Sequence, residues 1–386
     1  MITDFEYYNP VRIFFGKDQI SKINSQIPSD SKIMLLYGGG SIFRNNVYNR
    51  LKEALKGYDI TEFGGIEPNP SYETCMKAVE VIKSKNIDFL LGAGGGSVID
   101  ATKFIAAAAR YTSGDPWDIL TKGVPVTASL PVGVILTLPA TGTEMNRNAV
   151  ISRKSTNEKL AFSSSHSLPQ FSVLLPEAAG SLPKNQVANG VVDAFVHVIE
   201  QYLTYPVNAQ IQDRFAEAIL SSLIEEGPKA YANPSDYDAM SNLMWSATMA
   251  LNGLISCGVP GDWSVHTIGH ELTAFHGIDH ARTLAIVLPG LWKVLKEEKK
   301  DKLLQYAERV WKITEGSDDE RVDSAIQKTV DFFESLGIST RLSDYGVPRE
   351  TIDKIVHRFE QRKWLELGDR ELTTPEVTRK ALETQL

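Results

Sequence analysis

Only two cysteines, Cys75 and Cys257, occur in 386 residues. Neither belongs to a CxxC pair, which excludes zinc–thiolate ribbons, dithiol redox motifs and a disulfide-stapled scaffold. Two reduced thiols are expected. Base is not in excess either: Lys and Arg total 40 against 48 acids, a formal charge of −8. That balance lacks the broad positive surface that binds nucleic acid or anionic lipid. No apolar run reaches the ~18 residues a membrane helix needs. The first residues, Met1-Ile2-Thr3-Asp4-Phe5-Glu6, carry acid where a signal peptide carries base. The expectation is a soluble, cytoplasmic protein with no nucleic-acid or membrane partner, whose ligand is small or is met by a local pocket. Histidine is sparse too, at seven, so the places where it falls carry weight.

What is present is an average globular composition, 42% hydrophobic and 23% charged, in a chain long enough for two or three domains. The first half alternates short apolar runs with amphipathic stretches. Runs at 32–37, 87–91 and 132–137 each end in glycine, proline or hydroxyl residues, and helical patterns at 73–84 and 98–110 lie between them. Strands alternating with helices of this length indicate βαβ units and a mostly parallel sheet. Punctuation thickens between Gln170 and Gly190, and strand signals then nearly vanish. Segments 191–203, 211–226, 237–254, 263–275, 302–314, 323–336 and 350–361 read with helical period. The expected division is an α/β domain at 1–182 followed by an all-helical domain at 183–386.

Gly94-Gly95-Gly96-Ser97 follows a buried-strand pattern and opens a helix. A helix start leaves backbone N–H groups unpaired, and absent side chains let a phosphate approach them. Ser97 is placed to cap, with Asp100 three residues on in a capping-box variant. The spacing is not GxGxxG, so the ordinary dinucleotide fingerprint is absent. Gly38-Gly39-Gly40-Ser41 follows an earlier strand, and the stretch Thr137 to Glu144 follows a later one. Ligands of parallel sheets bind beyond the carboxyl ends of strands, so three such ends can converge on one nucleotide. Gly39 stands where a carboxylate would select a free ribose hydroxyl. With glycine there and Ser41 as a donor, the expectation is NADP(H) over NAD(H).

Asp193 and His197 are four apart on a predicted apolar helix, so both side chains share one face. A buried carboxylate demands a partner or a metal. Four further histidines cluster at 266, 270, 276 and 280, with His357 remote. His266 and His270 again share a helix face, and Gly277 breaks that helix. For His280 to reach His266, residues 276–280 must run back along it. Asp193, His197, His266 and one of His270 or His280 make a one-carboxylate, three-histidine set suited to iron(II) or zinc. The spacing alone leaves both alternatives open.

Together these residues resemble the iron-containing alcohol dehydrogenase family, in its NADPH-dependent aldehyde reductase and butanol dehydrogenase branch. The resemblance covers essentially the whole chain. Its specific segments are Phe63-Gly64-Gly65-Ile66-Glu67-Pro68-Asn69-Pro70, Gly94-Gly95-Gly96-Ser97-Val98-Ile99-Asp100, Thr137 to Glu144, Asn189 to His197, and His266-x3-His270-x9-His280. Leu175 stands where the family usually has aspartate, and Ala140 replaces a common glycine.

The resemblance implies a Rossmann-like dinucleotide-binding domain followed by an all-α metal-binding domain, the fold shared with dehydroquinate synthase. It implies metal ligands at Asp193, His197, His266 and His280, with His270 nearby as a proton relay. It places Asn69, Gly94, Gly95, Gly96, Ser97, Asp100, Thr137, Thr141, Asn146 and Lys159 around the cofactor, with Gly39 and Ser41 accepting the 2′-phosphate. The implied reaction interconverts an aldehyde such as butanal with its primary alcohol, using NADP(H), in a homodimer. Trp117, Phe162 and Trp263 are candidate pocket walls. Two other readings compete. A metal- and NAD-dependent cyclase or lyase resembling dehydroquinate synthase would need a basic pocket, and near the ligands the sequence offers mainly Arg282. A non-catalytic metal-binding protein would have no use for the glycine turns.

Overall fold

A computed structural model describes residues 1–386. Six strands form one parallel sheet: Arg12–Phe15 (β1), Lys32–Tyr37 (β2), Asp59–Phe63 (β3), Phe89–Gly94 (β4), Val132–Leu136 (β5) and Phe171–Leu174 (β8). Their order is β1-β8-β5-β4-β2-β3, and every pairing is parallel. Asn148–Arg153 (β6) and Glu158–Ser163 (β7) form a separate antiparallel hairpin.

Alternation explains why the central strands read as unbroken apolar runs: both sheet faces are buried. Ile33, Leu35, Phe89, Leu91, Ile135, Phe171 and Val173 join one core cluster. On the other face, Gly92 of β4 meets Thr102 of the helix Gly96–Arg110; a Cβ at Gly92 would lie 2.6 Å from Thr102 Oγ1. Lys103 on that helix is fully buried, and its Nζ donates to Thr143 Oγ1 and to the carbonyls of Asn146 and Asn148 at 2.8–2.9 Å. The stretch after β5 is thereby fastened to the helix.

The chain divides into two compact units. One comprises Tyr8–Pro183 and Asn233–Thr248; the other comprises Met1–Tyr7, Lys184–Ala232 and Met249–Leu386. Thr248 Oγ1 ties the later segment into the first unit by donating to the buried carboxylate of Glu144 at 2.5 Å. The second unit is helical. Its helix Lys184–Tyr202 is buried at every position from Gly190 to Tyr202, as a central helix must be. A Cβ at Gly227 of helix Gln210–Ala232 would come 2.8 Å from Val191, so these two helices cross closely. Phe195 packs on Phe332 and Phe333 of helix Asp318–Ser335 at 5.5 Å between ring centroids. No helix is long and apolar enough to cross a membrane. Both cysteines are free and buried.

One local expectation fails. Ser97 does not cap its helix. The N-cap is Gly95, in extended backbone, with no side-chain hydrogen bond. Asp100 turns elsewhere: Oδ1 accepts from Thr143 Oγ1 at 2.6 Å and Oδ2 from the Val150 amide at 3.0 Å. The stronger demand comes from fixing the loop and β6, so the helix start keeps no side-chain cap.

Candidate metal and cofactor sites

In the helical unit, three helices bring the acid and the imidazoles together. Asp193 and His197 lie on helix Lys184–Tyr202, His266 and His270 on Ser264–His276, and His280 opens His280–Val294. Gly277 ends the second helix in the left-handed conformation, φ +69°, where its amide donates to the Thr273 carbonyl. Residues 277–279 then return the chain. Asn189 Nδ2 donates to Asp279 Oδ2 at 2.9 Å, pinning that return to the first helix. Gly269 lets the helices cross closely: a Cβ there would sit 2.9 Å from Thr283 Oγ1.

The ligand-capable atoms of Asp193, His266 and His280 all lie within 4.8 Å of one another. Asp193 Oδ1 is 3.7 Å from His280 Nε2 and 3.7 Å from His197 Nδ1. The His197 ring stacks on His266 at 4.6 Å. The His270 ring stands 5.0 Å from His280 and 6.3 Å from His266, outside the converging trio. Burial, together with repulsion from His266 and against the pull of Asp193, pushes the His197 pKa down to about 4. Its imidazole is therefore neutral at ordinary pH and keeps a lone pair. His197 also lies outside the trio but beside it. One carboxylate and the imidazoles of His266 and His280, with Asp193 and His266 buried and His280 part-exposed, fit a divalent metal of iron or zinc type.

Trp263 packs beside this group, its ring 5.5 Å from His266. Trp117 and Phe162 instead belong to the core of the α/β unit, against Tyr72 and Phe104 respectively. Sequence reading passed over Glu200, which is buried and contacts His266 Nδ1. The available signal was a lone acid one turn beyond His197, within Val198-Ile199-Glu200-Gln201.

In the α/β unit, β5, β4 and β2 are consecutive and parallel, so the turns after them share one sheet edge. Those turns hold Gly39 and Ser41, Gly95 to Ser97, and Thr137 to Thr141. A Cβ at Gly96 would lie 2.7 Å from Thr141 Cγ2 and Oγ1; one at Gly95 would lie 3.1 Å from Leu138. Gly39 differs, being exposed with nothing within 4 Å of a Cβ. Asn146 is committed to its own loop: Nδ2 donates to the Gly142 carbonyl and Oδ1 accepts from the Asn148 amide, each at 2.9 Å. Lys159 is buried on β7, and its charge helps to hold down the Asp100 pKa, which burial raises. Asn69 takes a left-handed conformation, φ +52°, between two prolines.

Comparison with known proteins identifies the family. Residues 10–176 match the description "Iron-containing alcohol dehydrogenase", and residues 187–379 match the C-terminal part of the same family. The chain is 55% identical to the NADPH-dependent aldehyde reductase YqhD of Escherichia coli K12 over 99% of both chains. It is 41% identical to NADH-dependent butanol dehydrogenase B of Clostridium acetobutylicum, over 91% of this chain and 92% of that one. The crystal structure of E. coli YqhD superposes with a TM-score of 0.98 at 54% identity, covering 100% and 99% of the two chains. The NADH-dependent butanol dehydrogenase A of Thermotoga maritima superposes at 0.95 with 35% identity, covering 100% of this chain and 99% of that one. The chain belongs to the iron-containing alcohol dehydrogenase family.

Proposed function

We propose that this chain is an NADP(H)-dependent alcohol dehydrogenase acting as an aldehyde reductase, interconverting aldehydes such as butanal with primary alcohols. The observation that carries the reading is the convergence of Asp193, His266 and His280 within 4.8 Å, in a chain whose relatives bear such names. Asp193, His197, His266 and His280 would hold the metal, iron(II) or zinc. When bound, the metal would polarise the aldehyde oxygen and the nicotinamide would supply the hydride. His270 would carry a proton between the alcohol oxygen and solvent, its imidazole being suited to exchange near neutral pH. The uncapped helix start at Gly94 to Ser97 would take the cofactor pyrophosphate. Asn69, Thr137, Thr141 and Lys159 would line the cofactor, and Asp100 and Asn146 would shape the loop beside it. Gly39 leaves room for a 2′-phosphate and Ser41 offers it a donor. The unit of Tyr8–Pro183 and Asn233–Thr248 would serve as the cofactor domain and the helical unit as the metal and substrate domain, in a cytoplasmic homodimer. This division departs from the expected one at 182/183 only for residues 1–7, 183 and 233–248.

The test pairs metal analysis with NADPH oxidation over aldehydes of increasing chain length. Butanal should consume NADPH; a chelator should stop the reaction and added iron(II) or zinc should restore it. Full activity after chelation would remove the metal from the reading. A metal-loaded protein that consumes no NADPH with any aldehyde would return the cyclase or lyase alternative, which has no net use for reduced cofactor.

A further inference from the structure

His266 is held by more than its own helix. Its Nδ1 meets Oε2 of Glu200, an acid in the last turn of helix Lys184–Tyr202 that is only 2% exposed. Oε1 of the same carboxylate accepts the Val265 amide at 2.7 Å, and Oε2 accepts the His266 amide at 3.2 Å. Those amides belong to the first turn of helix Ser264–His276, whose N-cap residue, Trp263, supplies no side-chain acceptor. Glu200 thus caps that helix from another helix and grips the imidazole with the same group. The backbone beside it is fixed as well. The Asp262 amide donates to the Glu200 carbonyl at 2.8 Å, and Asp262 and Asp369 both pair with Lys299, at 2.6 and 3.0 Å.

Burial pushes the Glu200 carboxyl up, while the Val265 and His266 amides on its two oxygens favour the anion, and the anion offers the ring an acceptor only. A neutral imidazole carries one N–H, so Nδ1 keeps it and Nε2 presents the lone pair. We propose that Glu200 is the positioning residue for the metal: it sets the tautomer and orientation of His266, leaving Nε2 as the nitrogen that binds. The metal affinity of the site then depends on an acid that does not itself touch the ion. This inference rests on the metal reading above.

Chelator competition with zinc tests it. Glu200→Gln should weaken zinc binding by roughly 10- to 100-fold, and Glu200→Asp, which keeps the acceptor, should weaken it less. In a His266→Ala background the Glu200→Gln change should add nothing, because its route to the metal is gone. A merely structural role would weaken zinc binding equally in both backgrounds and would overturn the proposal. Should Glu200→Gln fail to fold, the wild-type protein decides alone: nitrogen-15 histidine spectra of the zinc-loaded form should show an Nδ1–H on His266, and an Nε2–H would refute the assignment. Wild-type protein that binds no zinc or iron(II) would sink the metal reading itself, whereas wild-type and Glu200→Gln proteins binding zinc equally would sink only the role of Glu200.

Discussion

Gly39 is a residue whose identity folding does not dictate. It is exposed, its φ lies outside the left-handed range, and a Cβ there would meet nothing within 4 Å. Space kept open without structural need points to a ligand. Gly39→Asp should therefore leave the melting temperature nearly unchanged while placing a carboxylate where a 2′-phosphate would lie. The ratio of kcat/KM for NADPH to that for NADH should fall by roughly 10- to 100-fold, about 1.4–2.8 kcal/mol. An unchanged ratio would move the adenosine ribose elsewhere. At this scale the sequence was informative where spacing does the work. Asp193 and His197 share a helix face by counting alone, and their apolar neighbours announce burial. Glu200 was illegible for the opposite reason: its partners lie 65 and 66 residues away. Lys103 and Glu144 were hidden likewise, since only the fold brings Lys103 to the loop after β5 and Glu144 to Thr248.

The decisive element is the helix Gly96–Arg110, because its start lies beyond β4 at the middle of the sheet edge. Its distance from the sheet is set by Gly92 against Thr102. Gly92→Ala places a methyl group 2.6 Å from Thr102 Oγ1, closer than contact allows, so the Thr102 side chain or its helix must shift. Overpacking of this kind costs typically ~1–3 kcal/mol. Gly92→Ala should lower the denaturation midpoint and weaken NADPH binding together, although residue 92 is not itself one of the turn residues. Adding Thr102→Ala should recover most of both losses, because it removes the clashing Oγ1. Recovery of stability without recovery of NADPH binding would mean that the helix start does not hold the cofactor. Element identity was legible where both faces of a strand are buried, as in β2, β4 and β5. The edge strands β1 and β3 are short and part-exposed, and β8 has only four residues. None of the three carries enough period to separate it from a loop. The helix bearing Asp193 begins at Lys184, earlier than its periodicity suggests, and runs through Asn189-Gly190. Asn189 spends its amide on Asp279, so it does not compete for the helix backbone as asparagine usually does.

For the whole molecule, the charge of −8 sets a surface property, whereas the response to acid is set by a few buried groups. Burial is the leading cause that depresses the His197 pKa to about 4 from its ordinary 6.5. Between these values the unfolded chain binds a proton that the folded metal-free chain refuses. Stability contributed by the neutral ring is therefore intact above pH 6.5, falls as pH drops through the window, and levels off below 4. For a group this buried the loss is on the order of 3 kcal/mol. Asp100 and Glu144 work the other way: burial raises both carboxyls, so the folded state takes their protons first and gains stability on acidification. The wild-type curve alone mixes these opposing slopes, so a comparison is required. In chelator-treated protein, the denaturation midpoint of wild type should fall more steeply between pH 6.5 and 4 than that of His197→Gln, which has no ring to titrate. Parallel curves would show that His197 is protonated in the folded metal-free protein. Saturating zinc should stabilise the wild type through its preference for the folded state, and that gain should shrink over the acid range as protons compete for the imidazoles.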